Sequence, residues 1–345
     1  MDIQGCNVDI IVYNNIMNEN KGGTMKELTI SMLKTDDEIQ EYFIVKSVAI
    51  KVGANNKQYL DLLLGDATGE VPSKKWDISD GELSAIKEIK EGDVVKVKAT
   101  VTSWNGQKQM KVGRIRVVNE QDEIDYVDFI KAAPEDPKVM YDYIFEKASQ
   151  LKDQDLNTLC TRLLLENKEK LMYYPAAQKN HHAQKSGLLY HVKRMLMTGE
   201  AICQVYTNLN PELVTAGVIL HDIEKLNEIE SDELGIASGY SFEGQMLGHI
   251  IQGIKLVDRL ATEIGMPREK AIMLEHMILS HHYEPDFGSP KKPLFPEAEI
   301  LHYLDMIDAR MFDMQESLDQ TEPGTFGERV WTLDNRRLYK SSDQE

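Results

Sequence analysis

The chain is poor in several features that mark whole classes of protein. Its three cysteines, Cys6, Cys160 and Cys203, are odd in number, widely spaced and form no CxxC pair. That excludes a disulfide framework and a thiolate metal site, and it points to a reducing compartment, the cytoplasm. No apolar run approaches the roughly 18 residues that cross a bilayer, so no membrane partner is expected. Met1-Asp-Ile-Gln-Gly-Cys6 has no basic stretch followed by an apolar one and reads as no secretory signal. Internal repeats and low-complexity tracts are also missing, which removes solenoids and arrays from consideration.

Positive charge is scarce overall: 39 Lys and Arg stand against 57 Asp and Glu, a net charge of −18. Taken alone, this argues against a polyanionic substrate. The distribution argues the other way. From Glu41 to Val118 there are 13 basic and 10 acidic residues, so the rest of the chain carries −21. Between Val94 and Arg116 lie Lys96, Lys98, Lys108, Lys111, Arg114 and Arg116 with no acid among them. A basic module on an acidic body suits nucleic-acid binding, although such residues are also ordinary on strand surfaces.

At 345 residues the chain favours two domains. Residues 1–34 read as an extension. Within it Met25-Lys-Glu-Leu is a more natural start than Met1, and translation is expected to begin there. Residues 35–119 read as all-β with one helix. Strands are expected at Tyr42 to Val52, Gln58 to Leu64 and Gly69 to Trp76, with Pro72 marking an edge or bulge. A short helix from Ser79 to Ile89 follows. Two more strands, Asp93 to Ser103 and Gln107 to Val118, then meet across the turn Trp104-Asn-Gly106. Three strands, a helix and two strands is the order of an OB-fold barrel, whose usual ligands are oligonucleotides or oligosaccharides. Residues 120–138, charged and holding Pro134 and Pro137, read as a linker. Residues 139–320 carry helical periodicity, as in Leu156, Leu159, Cys160, Leu163 and Leu164. Residues 321–345 read as an ordered C-terminal extension ending in a loose tail. The fold class is therefore α+β and multidomain: a barrel followed by an all-α bundle.

The histidines carry the chemistry. His221-Asp222 is preceded by His191 and followed by His249, His281-His282 and Asp305, at intervals of 23 to 32 residues. Such spacing is one residue per helix in a bundle that converges its side chains on a point. Imidazoles and carboxylates without thiolates suit Mn²⁺, Fe²⁺, Mg²⁺ or similar divalent ions. Two ions about 4 Å apart can position a nucleophile and offset the charge of a phosphodiester. His191, His221, Asp222 and Asp305 are assigned to one ion. Asp222, His249, His281 and His282 are assigned to a second, with Asp222 as the bridge. His221 and Asp222 are read as neighbours on one helix. His276 and His302 have no such spacing and read as ordinary packed histidines.

Leu188-Leu-Tyr-His191, Leu220-His-Asp-Ile-Glu-Lys225, Gly248-His249-Ile250, Leu279-Ser-His-His282 and Leu304-Asp305 together resemble the HD-domain metal-dependent phosphohydrolases. Tyr174-Pro-Ala-Ala-Gln-Lys-Asn-His-His182, Ser289-Pro290, Glu297-Ala-Glu-Ile-Leu-His-Tyr-Leu-Asp305 and Leu333-Asp-Asn-Arg336 narrow the resemblance to the YhaM-type 3′→5′ exoribonucleases. It covers roughly residues 35–340. It implies an enzyme, usually Mn²⁺-assisted with Fe²⁺, Mg²⁺ or Co²⁺ as alternatives. Such an enzyme trims single-stranded RNA, and in some settings DNA, to nucleoside 5′-monophosphates. One departure stands out: the superfamily commonly has glycine where this chain has Glu224, a side chain expected to turn outward.

Catalysis is assigned to Asp222 and His221 with Lys185. Substrate contacts are assigned to His181, His182, Lys185 and Lys225. The two histidines read alternatively as a helix cap, and Lys225 as a solvated lysine. On the barrel Phe43, Tyr59, Trp76 and Trp104 are candidate stacking platforms, about half of them needed inside, with Trp104 the favoured one. Lys96, Lys98, Lys111 and Arg114 would track the backbone. A homo-oligomer is compatible with all of this. The competing readings are a hydrolase of small nucleotides or cyclic dinucleotides, and an RNA-binding protein without activity.

Overall fold

The structure is a computed structural model and describes residues 28–343 apart from 54–55, 77, 79, 105–106 and 179–180. The expected start at Met25 lies outside the described residues. The chain divides into two compact units, one ending at Phe129 and the other beginning at Ile130. Among the described residues no helix is long and apolar enough to cross a membrane.

The first unit is a closed five-stranded barrel of β1 (Glu38–Val52), β2 (Gln58–Asp66), β3 (Gly69–Lys75), β4 (Val94–Trp104) and β5 (Gln107–Val117). The strand order is β1-β2-β3-β5-β4. All neighbours run antiparallel except β3 and β5, which close the barrel in parallel at Ser73 and Lys74. Alternation decides the register. In β2, Leu60, Leu62 and Leu64 turn in while Tyr59, Asp61 and Leu63 turn toward the surface. Pro72 pairs with Leu63 just before the parallel pairing begins, so its missing N–H falls outside the register with β5. Helix α1 (Asp80–Glu88) lies between β3 and β4, with Ile86 and Ile89 reaching the core.

The barrel extends beyond both expected boundaries. Ile30 and Leu33, placed in the extension by sequence, are buried in the barrel core, and Ile30 N–H donates to Asp66 Oδ2 at 2.7 Å. At the other end Asp122 holds Arg116, and Ala67 N–H donates to the Asp128 carbonyl at 2.9 Å. Residues read as linker are thus partly built into this unit.

The second unit is a helical bundle. It contains α2 (Pro137–Ser149), α3 (Gln154–Glu166), α4 (Lys168–Leu171), α5 (Gly187–Val205), α6 (Pro211–Leu220), α7 (Lys225–Glu228), α8 (Phe242–Glu263), α9 (Arg268–Ser280) and α10 (Pro296–Asp319). Side-chain caps start several of them, with Asp136, Asp153 and Asn210 each accepting from two backbone N–H groups. One continuous apolar core joins them, drawn from Ile144, Leu163, Met195, Val218, Leu274 and Leu301 among others. The unit is not purely helical. Two hairpins interrupt it, β6 (Ile229–Ser231) with β7 (Ala237–Tyr240) and β8 (Phe326–Val330) with β9 (Arg336–Tyr339). The second occupies the expected C-terminal extension and is tied to α10 by Arg310–Asp334 at 2.8 Å.

Candidate metal centre

Helix α6 is apolar almost throughout and lies buried from Leu213 to Leu220 apart from Thr215. Its burial carries the residues just past its end into the middle of the bundle. His221 caps α6, and Asp222 sits in the turn before α7, so the two are not neighbours within one helix as expected. His281 caps α9 in the same way, with His282 next in the following turn. His191 lies on α5 and Asp305 on α10. His249 follows Gly248, where α8 breaks with φ 69° and ψ 162°, a backbone conformation essentially reserved for glycine. Helix ends and a kink, rather than helix middles, present all of these residues except His191 and Asp305.

The carboxylate of Asp222 is the hub. Its Oδ2 is 3.4 Å from His221 Nε2 and 3.8 Å from His191 Nε2, and its Oδ1 is 3.4 Å from His249 Nε2 and 3.8 Å from His281 Nε2. Asp305 Oδ1 lies 3.5 Å from His191 Nε2. Each imidazole is held from behind through Nδ1. His221 bonds the Val218 carbonyl at 2.9 Å, His281 the Ile278 carbonyl at 2.8 Å and His282 the Phe287 carbonyl at 2.6 Å. His191 bonds Asp308 at 2.7 Å, and His249 bonds Glu228 at 2.9 Å. A carbonyl or carboxylate oxygen can only accept, so Nδ1 carries the proton and Nε2 turns its lone pair toward the hub.

Burial and charge set the protonation states. Burial pushes His281 well below the usual imidazole range and also lowers His282, leaving both neutral near pH 7. Burial opposes ionisation of Asp222, but His221 and Lys225 outweigh it and hold the carboxyl well below its usual range. For His221 burial is again opposed, and the carboxylate of Asp222 outweighs it and raises the imidazole.

Metal ligation requires neutral imidazoles and an ionised carboxylate, which His281, His282 and Asp222 supply. His221 would become neutral by giving up a proton as the ion binds. A direct observation tests the fit. His221 Nε2, His249 Nε2, His281 Nε2 and Asp222 Oδ1 are buried without any hydrogen-bond partner. Four orphaned acceptors around one point would be costly in a finished structure. Bound divalent cations would satisfy all four. The ligand atoms of His191, His221 and Asp222 lie within 4.8 Å of one another, as do those of His249, His281 and His282.

Comparison with known proteins agrees with this geometry. The HD domain family model matches residues 188–310, which span all seven candidate ligands. A 3′-5′ exoribonuclease YhaM from Halalkalibacterium halodurans is 36% identical over 309 residues, covering 90% of this chain and 95% of the relative. Another from Geobacillus sp. (strain WCH70) is 37% identical over 304 residues, covering 88% and 92%. The chain belongs to the YhaM family of 3′-5′ exoribonucleases. Among solved structures, the second OB-fold domain of replication protein A from Methanococcus maripaludis is similar at 20% identity, with 28% of this chain and 98% of that one covered and a TM-score of 0.23.

Not every residue expected at the centre of this YhaM-family chain faces it. His182 does not lie open to a substrate: it is 0% exposed, bonds Asp308 Oδ2 through Nε2 at 2.6 Å, and is driven down to about 4 by burial. It backs His191 instead. His181 is half-buried with Nδ1 3.9 Å from Asp313 Oδ2. The backbone of Lys185 bonds Lys131 and Ala133, and its side chain stays partly exposed. Lys225 is neither solvated nor free, since its Nζ donates to Asp222 Oδ2 at 2.6 Å. Glu224 does not turn outward; it is buried and accepts from Asn227 Nδ2 at 2.8 Å. His276 accepts from Leu294 N–H, and His302 donates to the His281 carbonyl, supporting that ligand's backbone. Sequence reasoning missed Asp308 and Glu228. Asp308 had one available signal, its place three residues after Asp305 on the same helix.

On the barrel, Phe43 is core, whereas Tyr59 and Trp76 stack on each other at 4.4 Å near the surface, with Lys74 Nζ 5.8 Å from each ring centroid. The side chain of Trp104 lies outside the described residues. Lys98 pairs in register with Arg114, and Lys74 with Lys111, which places these bases on adjoining outward rows beside the stack. Lys98, Lys111 and Arg114 are exposed. Lys96 is instead bonded to Tyr42 Oη at 2.8 Å, and Arg116 makes two bonds to Asp122.

Proposed function

We propose that the chain shortens single-stranded RNA from its 3′ end by metal-dependent hydrolysis and releases nucleoside 5′-monophosphates. The observation that carries this reading is the ring of buried, partnerless Nε2 and Oδ1 atoms around Asp222. His191, His221, Asp222 and Asp305 would hold one ion. His249, His281 and His282, with Asp222 bridging, would hold a second. Mn²⁺ is the favoured ion on the family resemblance, ahead of Fe²⁺, Mg²⁺ or Co²⁺. Bound there, divalent ions supply the positive charge that stabilises a phosphodiester under attack.

The protein's own groups do the rest. The Nδ1 bonds fix each ring so that no reorientation precedes ligation. Lys225 donates to one oxygen of Asp222 and so would restrain the carboxylate as it takes up an ion. Lys185 and His181, partly exposed on the segment leading into α5, would meet the phosphate of an incoming strand. In the barrel, the Tyr59–Trp76 pair takes a base by stacking while Lys74, Lys98, Lys111 and Arg114 meet phosphates. Stacking tolerates either sugar, so single-stranded DNA fits the same face. A reducing compartment, the cytoplasm, is inferred from the three widely spaced cysteines of the sequence. A homo-oligomer would find its natural seat on the exposed apolar row Tyr303, Met306, Ile307 and Met311 of α10.

The test is a 5′-labelled RNA incubated with Mn²⁺, with excess chelator, and with Asp222→Ala. A ladder of 3′-shortened products that needs both the ion and Asp222 is expected. An uncut RNA, or cutting that survives the substitution, defeats the reading. Cyclic dinucleotides and deoxynucleoside triphosphates tested alongside discriminate a small-nucleotide hydrolase.

A further inference from the structure

Two of the five converging histidines are held by carboxylates, and the other three by backbone carbonyls. The carbonyl of Val218 comes from the helix turn just before His221, and that of Ile278 from the turn just before His281. No side-chain substitution removes such a partner. The carboxylates differ because each reaches its histidine from another element. Asp308 on α10 holds His191 of α5, and Glu228 at the end of α7 holds His249 of α8.

Both carboxylates are themselves fixed. Asp308 Oδ2 also accepts from His182 Nε2, and its Oδ1 lies 2.7 Å from Arg194 Nε. Glu228 uses both oxygens on one residue, accepting the backbone N–H of His249 at 3.0 Å and its Nδ1–H at 2.9 Å. The break at Gly248 turns that N–H and that ring toward the same carboxylate. Gly244 completes the seat, since a Cβ there would run into the Glu228 backbone. An anionic partner fixes the ring plane as a carbonyl does, and in addition makes Nε2 a stronger donor to a cation.

The two pairs fall in different halves of the cluster. His191 groups with His221 and Asp222, whereas His249 groups with His281 and His282. We infer that Asp308 and Glu228 are positioning residues, one for each ion, and that each governs the affinity of its own ion without governing the other. The inference rests on the two-ion reading above. It makes the halves separable by single isosteric changes that leave every metal ligand in place.

The experiment is a calorimetric titration of the chelator-stripped full chain with Mn²⁺, followed by the electron paramagnetic resonance spectrum at each stoichiometry. The wild type is expected to take two ions and to show an exchange-coupled pair. Asp308→Asn and Glu228→Gln should each keep one affinity and lose about 10- to 100-fold in the other, the usual range for such partners. Their spectra at one equivalent should be those of an isolated ion. Asp308→Glu and Glu228→Asp, which keep the charge, should recover part of the lost affinity. Thermal unfolding of the stripped variants checks that they remain folded, and the charge-keeping pair carries the comparison if a neutral variant does not. A wild type that takes one ion overturns the two-ion reading and the inference with it. A wild type with two ions whose variants keep both affinities, or lose both together, overturns the inference alone.

Discussion

In the barrel, the residues suited to a nucleic acid face outward, with Trp76 43% exposed and Lys98, Lys111 and Arg114 at the surface. In the helical unit most of the reactive residues are buried, with His191, His221 and Asp222 each 1% exposed and His281 0%, while His282 and Asp305 are half-buried. The two regions therefore answer differently to change. An outward aromatic or lysine contributes its own increment and is hydrated when it has no ligand, so its loss is graded. A buried imidazole or carboxylate is tolerated only while its neighbours satisfy it, so the loss of one leaves the others unpaired. Surface recognition is additive, whereas at the buried centre the loss of a ligand shared by both halves, Asp222, reaches every imidazole around it.

The largest effect should come from the hub. Asp222→Ala is expected to lower hydrolysis by at least about 10²–10³-fold, the range for removing one preorganised electrostatic group. Steady-state rates on a long strand and on a dinucleotide should fall alike, while fluorescence anisotropy of a labelled strand shows binding retained. A loss confined to long strands would erase the division between the regions. Next is Trp76→Ala. It should weaken single-strand binding by about 1–3 kcal/mol, one base stack, with metal uptake unchanged. Unchanged affinity would mean that the Tyr59–Trp76 pair is structural.

The smallest effect concerns the barrel's own stability. The Arg116 guanidinium holds the Asp122 carboxyl below the usual carboxylate range against the cost of its burial. A depressed folded pKa stabilises above the unfolded value, near 4, and that contribution disappears as pH falls toward the folded value. Because Arg116 is partly solvated, Asp122→Asn should cost about 1 kcal/mol or less at pH 7. Unfolding curves recorded from pH 7 to pH 3 should show the gap from wild type narrowing only below about pH 4. A gap independent of pH would assign the role of Asp122 to neutral hydrogen bonds.

These regions also differed in how much their sequence revealed. The barrel strands were readable because alternation in Gln58 to Leu64 and the Asn-Gly turn are local signals, decided within a few residues. The residues that gather around Asp222 stood out because histidine is rare, nine in 345 residues, and its spacing suggested one element apiece. What stayed hidden depends on partners distant in sequence. Asp308 is one acid among 57 Asp and Glu until α10 packs beside His191 117 residues away. Glu228 reads as an exposed residue until the break at Gly248 folds His249 back onto it. Ile30 and Leu33 look like part of a loose leader because two apolar residues set no period, although the barrel core requires them.

The manner in which α6 and α9 end has an electrostatic consequence. Each helix finishes one residue before a ligand, at Leu220 and at Ser280, so its carboxyl-terminal pole points at the cluster. Aligned peptide dipoles place about half a negative elementary charge at each such pole. Two such poles would add negative potential to that of the Asp222 carboxylate in a poorly screened interior. Such a field would favour the uptake of cations, beside the single charge of Lys225, over the approach of a bare phosphate.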